Sequence, residues 1–392
     1  MKKNNTIAAF FALLRAGLWE GVKVQGEGLM VNGFPLSIDD DVDWSKVLDL
    51  AEEQSVVGLL AAGIEAVQGA WLKVHGAPLV PKPMALQFVG RTMQLEQRNQ
   101  AMNYFIGVTV EKMREAGIYT LLVKGQGVAQ CYEHPLWRAC GDVDFFLDDE
   151  NYERAKGFLR PLAASVEEEY VREKHLGMTI DPWVVELHGR LYSGLSGRIE
   201  RELDAVQRET FAGGKVRIWK DGETEVPLLA VESDVFYVFT HILQHFYKGG
   251  IGLRQICDWC RLLWTYRSDI DVEKLEGRLR RTGLMSEWRA FGAFAVEVLG
   301  MDAEAVPFYS DAAKWKKKAT RIRDFVLMSG NFGHNRGHSY FEKYPYLVRK
   351  CVSFGRRVGD LARHARIFPI DSLRFFPCML VNGVRSAVNG EG

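Results

Sequence analysis

Gly141-Asp-Val-Asp-Phe-Phe-Leu147 places two carboxylates, Asp142 and Asp144, two positions apart inside an otherwise apolar run. A run of aromatic and aliphatic residues of this length predicts a buried β-strand. Side chains two apart on a strand point to the same face, so both acids should lie about 6–7 Å apart along the backbone. This arrangement suits a pair of divalent cations, and the rest of the chain is interpreted around it.

A second short strand is predicted just before this segment, at Ile118-Tyr-Thr-Leu-Leu-Val123. Lys124-Gly125-Gln126-Gly127 ends that strand, and a helix is predicted to begin at Val128. The order strand, glycine turn, helix presents backbone N–H groups where a phosphate can bind. A simple turn is the alternative, because the segment lacks the Gly-x-x-x-x-Gly-Lys-Ser/Thr spacing of a P-loop.

Three more strands are predicted downstream, at 166–171, 175–180 and 183–189, and the last one carries a third acid. Glu186 and His188 lie two apart on it and so share one face. A buried carboxylate without a partner is costly, and a shared metal would account for Glu186. For His188, a role near the metal or the acceptor and a simple hydrogen-bonding role both remain open.

These motifs together resemble the DNA polymerase β-like nucleotidyltransferase superfamily, and more closely its branch of largely uncharacterised bacterial nucleotidyltransferases. The resemblance also extends outside the motifs and covers most of the chain. The core pattern is Lys124-Gly125, Arg138-x-x-Gly-Asp142-x-Asp144 and Val-Glu186-Leu-His188. The outer segments are Phe11-Ala-Leu-Leu-Arg15-Ala-Gly-Leu-Trp19, His241 with Gly252-Leu-Arg254-Gln-Ile-Cys-Asp258-Trp259, and Gly330-Asn-Phe-Gly333.

The resemblance implies an α+β fold in which a small mixed β-sheet core is flanked by N-terminal helices and a C-terminal helical region. It implies that Asp142, Asp144 and Glu186 are catalytic and hold two Mg²⁺ ions, with Mn²⁺ as a possible substitute. A nucleoside monophosphate would pass from an NTP to an acceptor hydroxyl of a small molecule, sugar or protein, with release of pyrophosphate. The chemistry agrees, since Mg²⁺ prefers carboxylate oxygens and paired ions assist phosphoryl transfer.

The triphosphate is expected to be held by Lys124, by the backbone N–H groups of Gly125 and Gln126, and by the guanidinium of Arg138. The wider superfamily usually has Gly-Ser or Gly-Gly at this turn and a shorter gap to the first aspartate. Here Gln126 follows Gly125, and Asp142 stands 17 residues beyond that glycine. A non-catalytic protein that keeps the fold as a nucleotide-binding or scaffolding module is the alternative function.

Three regions are predicted: an N-terminal helical region (1–90), the nucleotidyltransferase core (91–230) and a C-terminal helical region with a basic tail (231–392). The individual elements expected are an amphipathic first helix rather than a secretory signal, helices at 44–60 and 85–116, a hairpin with strands 215–219 and 226–230, and a helix from about Ser233.

The C-terminal region contains the residue types of a possible zinc site. His241 and His245 are four apart on a predicted helix, and Cys257-Asp-Trp-Cys260 follows them in the sequence. The cysteines also belong to an apolar helical stripe, in which buried thiols behave as small hydrophobes, and this second interpretation is preferred. Arg254 and Asp258, also four apart, are expected to form an ion pair. Alternatively, they face the catalytic cleft.

The chain has 392 residues, 47% of them hydrophobic, and no net charge, but the charge is unevenly spread. From Lys314 onward there are 16 Lys and Arg residues against 5 Asp and Glu residues. This basic tail is expected to face an anionic partner or to dock on the acidic remainder of its own chain. Neither duplex nucleic acid binding nor a transmembrane segment is expected. Six scattered cysteines favour a reducing, cytoplasmic location.

Overall fold

The computed structural model describes residues 2–19, 21–25, 28–31, 33–36, 38, 41–248, 250–330, 359 and 361–377. Of the basic tail from Lys314 onward, these residues cover 314–330, 359 and 361–377, and 361–365 is helical. In the outer segment Gly330-Asn-Phe-Gly333, Gly330 alone is among them.

The N-terminal region begins with helix α1 (Lys2–Leu18) and continues into a small antiparallel sheet. Its strands are β1 (Val22–Gln25), β2 (Gly28–Val31) and β3 (Phe34–Pro35). The expectation of a mostly helical region missed this sheet, because strands of two to four residues are too short to show a period of two over several turns. The predicted first helix is confirmed.

The helix predicted over 44–60 is broken into α2 (Trp44–Glu53) and α3 (Val57–His75). Ser55 has a φ of 55°, which ends α2. The break allows the fully buried Gln54 to serve distant segments: its Nε2 donates to the carbonyl of Val326, and its Oε1 accepts from the N–H of Leu253. Tertiary hydrogen bonds therefore override a continuous helical pattern here.

Among the described residues, α3 has the length and apolar composition to cross a membrane, by those two criteria alone. Its buried face packs against α1, where Gly17 and Gly63 allow the two backbones to approach closely. A Cβ on Gly63 would lie 2.0 Å from the carbonyl oxygen of Leu13. A helix packed in this way is also what the core of a water-soluble protein contains, so the expected absence of a membrane span stays a prediction.

The central part of the chain builds a seven-stranded sheet. Its elements in chain order are α4 (Lys82–Glu115), β4 (Leu121–Val123), α5 (Gly125–Ala129), β5 (Asp142–Phe146), α6 (Asp149–Leu159), β6 (Ser165–Val166), β7 (His175–Ile180), β8 (Trp183–His188), α7 (Gly197–Phe211), β9 (Val216–Asp221) and β10 (Thr224–Leu229). The strand order is β6-β7-β8-β5-β4-β10-β9, with β5 parallel to β8, β4 parallel to β10, and the other neighbours antiparallel. The expected α+β class with a mixed sheet is confirmed.

Strand β5 separates two environments. Val143 and Phe145 are buried in a core that also contains the inner faces of α4 and α6. Asp142, Asp144 and Phe146 alternate with them and therefore face the other side of the sheet. The predicted shared face of the two acids is confirmed.

Several predicted boundaries shift. The strand predicted over 166–171 is reduced to β6 and a single bridge between Tyr170 and His175, because a run of three glutamates, 167–169, interrupts its apolar pattern. The predicted hairpin is present as β9 and β10, with Gly222 and Glu223 as the connecting residues.

The C-terminal region is a helical bundle whose core is rich in aromatic side chains. It comprises α8 (Val231–Lys248), α9 (Leu253–Thr265), α10 (Val272–Thr282), α11 (Met285–Glu297) and α12 (Ala313–Ser329), and residues 361–365 and 369–377 add short helical segments. Phe239, Trp259, Trp288 and Phe291 pack mainly edge to face at its centre. Cys257 and Cys260 are fully buried in this core as free thiols.

The basic residues of α12 contact groups of the same chain. Lys316 Nζ lies 2.9 Å from Glu297, and Arg321 donates to the carbonyl of Arg366. One of these contacts, the ion pair with Glu297, joins the basic tail to an acid earlier in the chain, and what the tail as a whole faces stays a prediction.

We expect Gly63→Ala to lower the free energy of unfolding by about 1–3 kcal/mol, because the added methyl overlaps the backbone of α1. Gly69 lies on the exposed side of the same helix with open space around its Cα. Gly69→Ala should instead raise stability by up to about 1 kcal/mol through helix propensity. Chemical denaturation of both variants measures the difference, and a Gly63→Ala variant as stable as the wild type would contradict the close packing of α1 on α3.

A second prediction concerns the buried Glu287 of α11, whose Oε1 accepts a hydrogen bond from Tyr247 at 3.3 Å. Burial, reinforced by Asp371, raises the pKa of Glu287 to about 8. The folded protein then holds a proton that the unfolded chain releases above about pH 4.5, so the contribution of Glu287 to stability is greatest at low pH and falls as pH rises to 8. The loss over this range should reach about 5 kcal/mol at most.

Glu287→Gln should remove this pH dependence, so that its advantage over the wild type grows between pH 5 and pH 8 in thermal unfolding experiments. The same change at the exposed Glu65 shows the general effect of removing one charge. Parallel stability curves for wild type and Glu287→Gln would contradict a proton bound at Glu287.

Candidate active site

Three carboxylates meet on one face of the sheet. Asp142 and Asp144 come from β5 and Glu186 from β8, and the parallel register pairs Asp144 directly with Glu186. One oxygen of each carboxylate lies within 4.8 Å of the others. This distance agrees with the convergence within about 5 Å that two bridged metal ions require. The electrostatic cost is visible at Asp142, where the neighbouring Asp144 carboxylate and then burial raise the pKa.

Two histidines stand beside these acids. His188 Nε2 lies 2.8 Å from Asp144 Oδ1 and 3.4 Å from Glu186 Oε2, and His175 Nε2 lies 3.1 Å from the same Glu186 oxygen. Burial opposes ionisation of Glu186, but the hydrogen bonds from His175 and His188 outweigh it and hold its pKa well below the ordinary range. Burial likewise disfavours protonated His188, yet its bonds to Asp144 and Glu186 raise its pKa.

Lys124 joins the same cluster from the end of β4. Its Nζ lies 2.7 Å from Asp144 Oδ1. Its backbone has φ 57° and ψ −144°. Residues other than glycine rarely adopt this conformation, and where they do it is often at a functional site. Burial alone would lower the pKa of Lys124, but the surrounding acids, with Asp144 foremost, raise it well above its ordinary value.

The two residues after Lys124 that were predicted to contact phosphate are placed differently. Gly125 has a φ of 40° and lines the cleft. Gln126 is buried, and its side chain turns toward α4, where Nε2 donates to Asn99 Oδ1 at 2.9 Å. The side chain of Gln126 therefore braces the turn from behind, and only its backbone N–H remains as a possible phosphate contact.

Arg138 is held by a buried ion pair. Its Nε and Nη2 donate to the two carboxylate oxygens of Asp258 at 3.0 Å and 2.6 Å, and Tyr132 donates to Asp258 as well. The predicted ion pair between Arg254 and Asp258 is therefore wrong, because Arg254 donates instead to the carbonyl of Ala139 at 2.8 Å. Arg138 lines the cleft with Nη1 buried and without a hydrogen-bond partner among the described residues.

Helix α8 forms the opposite wall of the cleft with Tyr237, His241 and His245. The two histidines face each other with their Nε2 atoms 3.0 Å apart. Burial lowers the pKa of His241 well below its ordinary value and that of His245 to about 4. Both imidazoles are therefore neutral at pH 7, when each can still donate one hydrogen bond and accept another.

The alternative zinc site is wrong. Burial raises the pKa of Cys257 and Cys260 above that of an exposed thiol, as expected for cysteines in an apolar core. In the part of the chain that the structure describes, the groups of three or more potential metal ligands are two: Asp142, Asp144 and Glu186, and His175, Glu186 and His188. Neither contains a cysteine.

His175 is a site residue that the sequence analysis did not assign. The strands 175–180 and 183–189 were predicted, with Asp181 and Pro182 between them. A two-residue connection sets the register of a hairpin and places His175 opposite His188, as observed. The predicted limits of these two strands were therefore sufficient to place His175 beside His188. Tyr237 was also missed, because an aromatic residue in an apolar helix carries no signal of its own.

A family model described as "Uncharacterised nucleotidyltransferase" matches residues 40–300, more than half of the chain. The matched residues contain both walls of the cleft, from Lys124 to Asp258. Comparisons with curated proteins and with solved structures found no match.

The buried pair of Arg138 and Asp258 gives a testable prediction. Asp258→Asn should lower the free energy of unfolding by about 3–5 kcal/mol, because it leaves the guanidinium of Arg138 buried without its counter-charge. Arg190 and Asp204 form a pair of the same two-bond geometry that is partly exposed to solvent. Asp204→Asn should cost roughly 1 kcal/mol or less. Equal losses in urea denaturation would contradict the role of burial.

Proposed function

This chain belongs to the family of uncharacterised nucleotidyltransferases, and we propose that it is a metal-dependent enzyme that moves a nucleoside monophosphate from an NTP to an acceptor hydroxyl, releasing pyrophosphate. The observation that carries this proposal is the convergence of Asp142, Asp144 and Glu186 within 4.8 Å, on a cleft that also presents Lys124 and the Nη1 of Arg138, which has no hydrogen-bond partner among the residues that the structure describes. The cleft thus combines groups for cations with groups for phosphate.

The donor set fits divalent metal. The carboxylates of Asp142, Asp144 and Glu186 supply the oxygen ligands that Mg²⁺ and Mn²⁺ prefer. Bound divalent ions would lower the charge of the triphosphate and favour attack by the acceptor oxygen. The chain's own contribution is to hold the three acids on adjacent strands, where the sheet fixes their spacing before any substrate arrives.

Two cations are placed to bind phosphate. Lys124 and Asp144 both line the cleft, and the ammonium group of Lys124 is bound to the Asp144 carboxylate. From this position the ammonium group can also contact a phosphate oxygen that enters the cleft. Arg138 keeps two donors on Asp258 and leaves Nη1 free for an anion, and a buried donor of this kind is costly unless a ligand satisfies it. Gly125, in a left-handed conformation, allows the backbone of the turn to approach the same phosphate.

The acceptor and the nucleoside would lie against α8 and α9. Tyr237, His241, His245 and Arg254 supply neutral and cationic hydrogen-bonding groups on that wall. Neutral imidazoles suit an uncharged hydroxyl-bearing acceptor, because they can hydrogen-bond to it without placing a charge beside it. We therefore propose that the acceptor approaches from the helical side, opposite the acids.

The test is incubation of the protein with each α-labelled NTP, a divalent metal and a pool of hydroxyl acceptors. We expect labelled product from the wild type and a decrease of roughly 10³-fold in Asp142→Asn, since losing about 4 kcal/mol of charge stabilisation corresponds to that factor. Asp149→Asn, an exposed acid just beyond β5, is the matched control and should transfer label normally.

Label transfer that survives Asp142→Asn would contradict the proposed mechanism. Saturable NTP binding by the wild type without transfer to any acceptor would favour the alternative, a nucleotide-binding or scaffolding module.

A further inference from the structure

The acid cluster has a second set of potential ligands attached to it. His175 and His188 lie on adjacent antiparallel strands, directly opposite each other, and Glu186 is two residues before His188 on the same face. We propose that these three residues form a distinct metal position that takes a borderline transition ion, such as Mn²⁺, Co²⁺, Fe²⁺ or Zn²⁺, beside the carboxylate position of Asp142 and Asp144.

The geometry brings three donors together. His175 Nε2 and His188 Nε2 lie 3.1 Å and 3.4 Å from one oxygen of Glu186, and the imidazole rings are 4.9 Å apart. All three potential ligand atoms lie within 4.8 Å of one another. The two imidazoles approach one oxygen of Glu186 from different strands, and His188 Nε2 also lies 2.8 Å from Asp144 Oδ1, so His188 adjoins both proposed positions.

The three donors are also accessible. His175 and Glu186 expose 24% and 26% of their side chains, and both line the cleft with His188. Their positions are set by the ladder between β7 and β8 and by the two-residue turn at 181–182. A rigid scaffold of this kind lowers the cost of assembling ligands around an ion.

The chemistry of the donors distinguishes the two positions. Oxygen-only ligands such as Asp142 and Asp144 suit Mg²⁺, whereas two imidazoles and one carboxylate favour later divalent transition metals. Glu186 has an oxygen in each group, so it would bridge a hard ion and a softer one. The alternative explanation is that the histidines only orient Glu186 through hydrogen bonds. It predicts that no bound metal has a nitrogen ligand.

This inference rests on the proposed function only in placing the ion next to the reacting phosphate, and metal binding is measured without nucleotide. Full-length protein freed of metal with a chelator is loaded with Mn²⁺ and examined by pulsed electron paramagnetic resonance. We expect coupling of Mn²⁺ to the ¹⁴N of histidine, which persists in excess Mg²⁺ and changes to a ¹⁵N pattern in protein labelled with ¹⁵N-histidine.

His175→Gln should weaken the nitrogen-coupled Mn²⁺ at least tenfold, in line with losses of roughly 10–100-fold when supports of a metal site are removed. His75→Gln, at an exposed histidine on α3, is the matched control and should bind as the wild type does. Asp142→Asn should retain the nitrogen coupling, because the histidine position does not use that acid.

Bound Mn²⁺ without nitrogen coupling, or coupling that is unchanged in His175→Gln, would overturn the proposal. The ¹⁵N experiment on unaltered protein decides the matter even if His175→Gln fails to fold. Nitrogen-coupled Mn²⁺ in a protein without transferase activity would refute the proposed function alone, and transfer supported by Mn²⁺ with oxygen ligands only would refute this inference alone.

Discussion

Like charges gathered on one face of a sheet repel one another, and the site is organised around that repulsion. Asp142, Asp144 and Glu186 lie within 4.8 Å, and burial removes much of the water that would screen them. Lys124 and His188 offset the charge of Asp144, while His175 and His188 offset that of Glu186. Without such partners, three adjacent carboxylates would destabilise the sheet that displays them.

The architecture supplies these partners from separate parts of the chain. The sheet contributes the acids, both histidines and Lys124, all on the face opposite the core of α4 and α6. The bundle closes the other side of the cleft with α8 and α9. Because the acids share their face with buried Phe146, the polar site begins where the apolar packing of the sheet with the bundle ends. One part of this sheet surface therefore carries the polar site, and the other part packs against the bundle.

Much of the site could be predicted from the sequence, because it depends on the alternation of strands. The spacing of Asp142 and Asp144 predicted their common face, and the pattern of Glu186 and His188 predicted the third acid and its neighbour. The mixed α+β class was expected from the resemblance to the nucleotidyltransferase superfamily.

Other features depend on contacts between residues far apart in the chain, which local periodicity does not report. Arg138 and Asp258 are 120 positions apart, so the pattern favoured the local partner Arg254. Gln54 breaks a continuous helix for hydrogen bonds to Leu253 and Val326. Gln126 stands at the phosphate turn in the sequence, yet its side chain serves the packing of α4.

The contacts between α9 and the loop before β5 determine how the cleft can move. Arg138 forms an ion pair with Asp258. Arg254 donates a hydrogen bond to the carbonyl of Ala139, and Arg261 donates one to the carbonyl of Cys131. Widening the cleft by a hinge between sheet and bundle would break a buried ion pair and several charged hydrogen bonds at once, which is costly. These contacts therefore hold the two walls at a defined separation, and we expect a ligand to bind without a large hinge motion between them.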